Sequence, residues 1–195
     1  VSGQVMATAN GEALGAQVLS MPYEDVLKRK LIVDNVTHGA LDGLREGQGV
    51  VLGENLARNL GVGVGQSVTL ISPQGQATIA GFVPRMKTYP VIATLKLGMH
   101  LYDSSLVIMP FEEAQLYFKM TTPEGAGVSS IEITLENPDV APQAASYFGQ
   151  MFGEGVRVVD WQVANQTVFS ALKVQRNVMV VILALVLKCV GIIVY

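Results

Sequence analysis

The sequence predicts an α+β domain standing on the start of a membrane helix. Three observations carry that expectation. Strand-like and helix-like segments alternate along a chain of 195 residues, a length that suits one large domain or two small ones. The apolar excess is concentrated at the C-terminus, where residues 178–187 form an unbroken apolar run. Charge is sparse, at 15% Asp, Glu, Lys and Arg against about 25% in an average soluble protein. Half of the residues are hydrophobic, which excludes an intrinsically disordered chain. With 13 Lys and Arg against 16 Asp and Glu, the net charge is −3. No strong positive field is present for nucleic-acid phosphates, so nucleic acid is not an expected partner. Cys189 is the single cysteine, and His38 and His100 are the only histidines. An internal disulfide, a cysteine-based metal cage and a histidine-rich zinc site are therefore not expected.

Taken in order, residues 1–20 alternate weakly (Val5, Ala7, then Ala16, Val18) around Asn10-Gly11, which predicts two short strands and a turn. Residues 23–30 follow Pro22 with acids early and bases late, the pattern of a short helix. Residues 37–49 read as a polar connection. Residues 50–52 form a buried strand candidate, and residues 54–60 one or two helical turns with Leu56 and Leu60 at i, i+4, stopped by a left-handed Gly61. Residues 68–71, 91–95 and 106–109 are strand candidates, and Pro110 opens a helix over 111–118. After a loop over 121–128, residues 131–135 alternate cleanly as a strand, residues 143–151 read as a helix, and residues 156–159 as a strand. From about Asn165 no Gly or Pro interrupts a helix running into the apolar segment.

That segment, residues 178–195, is 18 residues long and contains 12 Val, Ile or Leu. A span needs roughly 20 residues. The aliphatic residues favour insertion by about 4 to 7 kcal/mol, against about 3 kcal/mol for a central lysine such as Lys188. The sum favours the membrane; the alternative is a buried C-terminal helix, which the missing polar face disfavours. The chain opens at Val1 with no initiator Met, basic n-region or signal-peptide core, and reads as a fragment of a longer protein.

Motifs of catalysis are weak. Gly61 to Ser67 resembles a phosphate loop but lacks the lysine before its serine, and a strand follows it. His100, Asp103 and Ser104 crowd one loop without further catalytic partners. Glu112-Glu113 fits the acidic first turn of a helix. No catalytic residue, metal site or cofactor is expected.

The segment from Ser72 to Arg85 is the most informative. It lies between two strand candidates and carries no charge from Pro73 to Pro84. A hairpin-like protrusion there leaves Ile79, Phe82 and Val83 on a tip too small to bury them, which points to a partner. Arg85 and Lys87 stand at its base, available to acidic groups. The alternative is a hairpin folded back on its own domain.

These residues sit among others that together resemble a family: Gly49-Val-Val-Leu-Gly-Glu-Asn-Leu-Ala57, Leu60-Gly-Val, Gly65-Gln-Ser-Val-Thr-Leu, Lys87-Thr-Tyr-Pro-Val, Tyr102-Asp-Ser, Met109-Pro with Ala114-Gln115, and Ala171-Leu-Lys-Val-Gln-Arg-Asn-Val-Met179. In order and spacing they are similar to the LolC/LolE family of lipoprotein-releasing permeases, especially its single-polypeptide LolF form. The resemblance implies a MacB-like ABC transporter membrane subunit, in the inner membrane with most of this fragment in the periplasm. It implies a two-lobed MacB-like periplasmic domain followed by the start of a transmembrane helix. Residues 49–127 would form a distal lobe inserted into a membrane-proximal lobe of residues 1–48 and 128–165, with 166–195 as linker and truncated membrane helix. A hook of Pro73, Gln74, Gln76, Thr78, Ile79, Phe82, Val83 and Pro84 would capture a LolA-like periplasmic carrier, beside a pad at Arg85 and Lys87. Thr69 and Met86 depart from the basic pad pattern, and Lys188-Cys-Val-Gly departs from the family's apolar tail. Lys173 and Arg176 would meet phosphate head groups at the membrane interface. The implied partners are a LolD-like cytoplasmic ATPase, a second permease subunit (itself or a paralogue), lipoprotein cargo and membrane lipid. The rivals are an efflux or FtsX-like mechanotransmission subunit without lipoprotein cargo, and a membrane-anchored hydrolase using Asp103 or His100.

Overall fold

The computed structural model describes residues 1–78, 81–122, 125–164, 174–176, 178–180 and 182–184. It is a mixture of strands and helices, as expected. Strands β1 (Ser2–Ala9) and β2 (Glu12–Leu19) pair antiparallel from Ser2↔Leu19 to Ala9↔Glu12. Asn10 at φ 53° and Gly11 at φ 86° close them with a two-residue turn whose twist matches the strands. Helices α1 (Tyr23–Lys28) and α2 (Lys30–Val33) follow. The single helix expected over 23–30 is interrupted because Arg29 leaves the helical region at ψ 88°. The connection expected over 37–49 holds strand β3 (Val36–Gly39) and helix α3 (Asp42–Arg45).

Strand β4 (Val50–Gly53) leads directly into α4 (Glu54–Asn59). Gly61 ends this helix at φ 64°. Asn10 Nδ2 donates to the carbonyls of Leu60 at 3.1 Å and Gly61 at 2.8 Å, so the hairpin turn caps the helix end. Gly53 is required for a different reason: a Cβ there would lie 2.4 Å from the Asp103 carbonyl oxygen. Strands β5 (Ser67–Thr78) and β6 (Gly81–Leu95) are followed by α5 (His100–Ser105), β7 (Leu106–Ile108) and α6 (Phe111–Tyr117). A short hairpin, β8 (Thr121–Thr122) with β9 (Gly125–Ala126), lies where only a loop was expected.

The seven-stranded sheet runs β3-β6-β4-β7-β2-β1-β5 and closes on itself, because β6 also pairs with β5. Its faces bury separate cores. Val50 and Leu52 of β4 join Val5, Val18, Leu56, Leu60, Val68 and Leu70 on one side. Val51 points the other way, to Ile108, Leu95, the helix residues Val26, Ile32 and Leu44, and Leu41 just before α3. β4 therefore reads as a continuous apolar run rather than an alternation.

By compactness the chain divides into Val1–Ile131 and Glu132–Tyr195. Residues 2–19 share a sheet with residues 50–108, so the lobe boundary expected at residue 48 falls inside this sheet. In the second unit, α7 (Ala141–Phe152) follows a short 3-10 turn at Pro138–Val140, and α8 (Trp161–Ala164) begins where Asp160 Oδ1 accepts from Val163 N at 2.8 Å. Trp161 Nε1 donates to the Pro138 carbonyl at 3.1 Å. The strands expected over 131–135 and 156–159 are not formed: both segments are irregular. Alternation alone makes no strand, because a strand needs a neighbour to take its backbone hydrogen bonds. Ile131, at 76% exposure, and Ile133 have no such neighbour among the described residues. The expected helix from Asn165, with Lys173 and most of the apolar tail, lies outside the described residues; Arg176 is helical and exposed. Among the described residues, no helix is long and apolar enough to cross a membrane.

Candidate functional site

The segment between the two prolines lies in the paired strands β5 and β6. Their register runs from Ser67↔Pro90 through Ser72↔Arg85, breaks, and resumes at Gln76↔Val83, Ala77↔Phe82 and Thr78↔Gly81. Pro73 and Pro84 both fall in the break, and both are exposed. A proline cannot donate to the ladder, so a bulge is where a sheet tolerates it. β1 pairs with β5 only at Thr69, Leu70 and Ile71, and β3 and β4 pair with β6 only from Val91 onward. Beyond those positions β5 and β6 pair, among the described residues, only with each other, a two-stranded ribbon leaving the sheet.

The sites expected from the sequence distribute along this ribbon. Gln74, Gln76 and Thr78 lie on β5, and Phe82, Val83 and Pro84 on β6. Val83 is 54% exposed. Ile79 lies outside the described residues. At the base, Arg85 and Lys87 share a face with Tyr89, and α6 lies against that face. Arg85 Nη1 donates to the Tyr117 carbonyl, and Lys87 Nζ pairs with Glu113 Oε1. Tyr89 donates to the same Glu113 oxygen at 3.2 Å, and Lys87 Nζ lies 5.3 Å from the Tyr89 ring centre. The two expected pad cations are thus held by a helix 26 to 32 residues away in sequence. Sequence reading placed Glu113 only in the first turn of a helix and missed it as their partner. Its signal was the second of two adjacent acids, which local spacing could not connect to Lys87. Between ribbon and helix lies a cleft of about 170 Å³ lined by Arg85, Met86, Lys87, Glu113, Leu116 and Tyr117.

Burial lifts the Tyr89 phenol well above its ordinary range, aided by the Glu113 carboxylate. Burial likewise pushes the Tyr117 phenol up to about 12, partly offset by Arg85. Both groups favour the neutral form in the folded chain. Their contribution is therefore intact below the ordinary phenol value of 10.0 and is lost as pH rises through the folded value. Tyr117→Phe is expected to make the loss of stability between pH 10.0 and about 12 shallower, measured by denaturant unfolding across an alkaline series.

His100, Asp103 and Ser104 lie in α5, where Asp103 serves the turn before the helix. Asp103 is buried, and its carboxylate accepts from Leu97 N at 2.7 Å and Gly98 N at 3.1 Å, fixing the turn before α5. His100 at the start of that helix is exposed. Among the described residues, no group of three or more His, Cys, Asp or Glu is placed to hold a metal.

The family model for the MacB-like periplasmic core domain matches residues 1–151 of this chain. The chain belongs to that family. The expected kinship with LolC-type permeases is also borne out. The chain is 31% identical over 192 residues to the lipoprotein-releasing system transmembrane protein LolC of Neisseria meningitidis serogroup B, covering 96% of this chain and 45% of that protein. LolC of Xylella fastidiosa (strain Temecula1) is 32% identical over 163 residues, or 83% of this chain and 37% of that protein. The MacB-like chain thus spans less than half the length of these curated relatives. Two solved structures also resemble it. The extracellular domain of the ABC-type transporter YknZ from Gram-positive bacteria has a TM-score of 0.49 at 16% identity, over 81% of this chain and 75% of that one. The periplasmic region of MacB from Actinobacillus actinomycetemcomitans has a TM-score of 0.48 at 13% identity, over 86% of this chain and 72% of that one.

Proposed function

We propose that this chain is the periplasmic part of an inner-membrane ABC transporter permease. It releases lipoproteins and hands them to a soluble LolA-like carrier. The observation that carries this reading is the ribbon: a two-stranded extension with no charge from Pro73 to Pro84, in a domain that aligns with LolC proteins over most of its length. An uncharged ribbon with an open strand edge offers a visiting protein both backbone pairing and apolar side chains. The cargo needs such a handover, because each buried CH₂ of an acyl chain is worth about 0.8 kcal/mol and prevents free passage through water.

In this reading the chain itself is mechanical and recognitive. ATP is hydrolysed by a LolD-like cytoplasmic subunit, and a second permease subunit completes the membrane path. Lys173 and Arg176 stand at the head groups, where the chain meets the bilayer. Pro73, Gln74, Gln76, Thr78, Ile79, Phe82, Val83 and Pro84 form the hook, while Arg85 and Lys87 position its base.

Capture of the purified carrier by the full-length permease tests the assignment. Changing Ile79 and Phe82 together to Asp is expected to abolish capture, since each puts a charge into an apolar contact. Unchanged capture would reject the hook. Depleting the protein and finding outer-membrane lipoproteins correctly sorted would favour an efflux or mechanotransmission role instead.

A further inference from the structure

Away from the ribbon, a recess of about 310 Å³ opens between α4 and the β3–β6 edge of the sheet. Its floor is Thr94 of β6 and His38 of β3, which stand opposite each other in the register. Between Val36↔Leu95 and His38↔Thr94, two steps on β3 meet one on β6, a bulge whose extra residue is Thr37. Bulges re-aim side chains. Here Thr37 Oγ1 comes within 2.9 Å of Thr94 Oγ1, and His38 Nδ1 within 3.4 Å of the same hydroxyl. Glu54 and Arg58, one turn apart on α4, form the charged wall. Ala57, Val62 and Val64 form the apolar one. Thr94 lies about 30 Å of strand along β6 from Arg85, so the recess is separate from the ribbon and its base.

The charges around this recess do not cancel. Among the described residues, Glu54 is the one acid in the lining. Its Oε1 accepts from Arg58 Nη2 at 3.0 Å, and its Oε2 lies 3.4 Å from Lys96 Nζ. One carboxylate meets two cations, which leaves a single positive charge over. A guanidinium has five N–H donors. Among the described residues, Arg58 uses two of them, toward Glu54 and, at 3.5 Å, Asn55 Oδ1. The others have room to act, since the Arg58 side chain is 64% exposed. Thr94 is 5% exposed and its hydroxyl is committed to Thr37 and His38. With Thr94 donating to Nδ1, His38 carries its proton on Nε2 and adds a further donor.

We infer that this recess binds the carboxylate of a small aliphatic acid, with Arg58 as the anchoring cation and His38 as a second donor. The inference does not depend on the carrier reading. A monocarboxylate brings the one negative charge that the lining lacks, on two oxygens that a guanidinium can take side by side. A phosphate monoester brings about −1.5 to −2, more than the excess here. An ammonium group would find Glu54 already held by Arg58 and Lys96. Ala57, Val62 and Val64 suit a short branched chain on the acid. The volume is at the lower end of small-molecule sites, which begin at about 300 Å³. An N-acylated amino acid and the C-terminus of a peptide present the same chemistry.

The test is titration of the full-length protein in nanodiscs with N-acetylvaline, read by saturation-transfer NMR. Saturable binding with a Kd of about 1 mM is expected for a ligand of this size. N-acetylvalinamide, which is uncharged, should bind about tenfold more weakly. Arg58→Gln should weaken binding of the acid by about tenfold and His38→Ala by about threefold. Both side chains are exposed, so Tm should stay unchanged in each variant. A tetrapeptide ending in valine is titrated alongside. Binding of both ligands supports a site for free acids, and binding of the tetrapeptide alone assigns the carboxylate to a polypeptide end. No saturable binding of either at about ten times the expected Kd overturns the inference. Equal affinity for acid and amide overturns it too, as does an Arg58→Gln protein that binds like the parent. Tighter binding of inorganic phosphate than of the acid overturns the choice of carboxylate.

Discussion

Leu70→Ala is expected to lower the unfolding free energy of the domain by about 2–5 kcal/mol. Leu70 is fully buried in the core with Val5, Val18, Leu56 and Val68. It also stands where β5 is paired on both sides, with Ala7 of β1 and Lys87 of β6. Truncation leaves a cavity that the closed sheet resists filling, because moving β5 inward would strain both ladders. In a chain of this size the cost corresponds to a fall in Tm of roughly 5–20 °C. The ribbon begins two residues later, so the same change should loosen its root. Calorimetry or denaturant titration reads the first effect. Amide exchange across residues 81–90 reads the second, and faster exchange there than in β4 is the expected pattern.

Asp103→Ala should cost about 3 kcal/mol, because two charge-assisted hydrogen bonds to backbone amides are lost together. The carboxylate is 3% exposed and takes Leu97 N and Gly98 N at 2.7 and 3.1 Å. Gly98, at φ 77°, turns the chain there, and α5 must lie close enough that Gly53 tolerates no Cβ. Asp103→Asn keeps acceptor capacity at one oxygen and should recover part of the loss. His100→Ala, at an exposed site, should change stability by less than about 0.5 kcal/mol. The hydrolase alternative makes the opposite demand: turnover that requires Asp103 or His100. A fall in stability for Asp103→Ala alone, with no turnover in the parent chain, assigns the residue to the turn.

Where a short-range signal sufficed, sequence and structure agree. The Asn10-Gly11 turn, the Gly61 stop, the all-apolar β4 and the Pro110 start of α6 each depend on residues within a few positions of one another. The two prolines bounding an uncharged stretch also marked the ribbon, and the bulge that contains them supplies the reason. Agreement ends where an element needs a distant neighbour. Residues 131–135 alternate as well as any strand in the chain, yet form none among the described residues, because periodicity specifies a face and not a partner. The breaks at Arg29 and within residues 37–49 depend on how those short segments cover the outer core of the sheet, which composition does not encode.

The amino-acid order alone thus determined the mixed strand-and-helix character, the turns, the kinship with LolC-type domains and the uncharged stretch between Pro73 and Pro84. Only the folded chain decided what surrounds that stretch. It alone commits Arg85 and Lys87 to α6, lets β6 close the sheet upon β5, and aligns Met6, Ile71 and Met86 on one bare face. The physical reason is range. A turn is settled by backbone preferences of adjacent residues, whereas a cation's partner lies on a helix 26 to 32 residues away and a sheet's uncovered face depends on register between strands more than sixty residues apart.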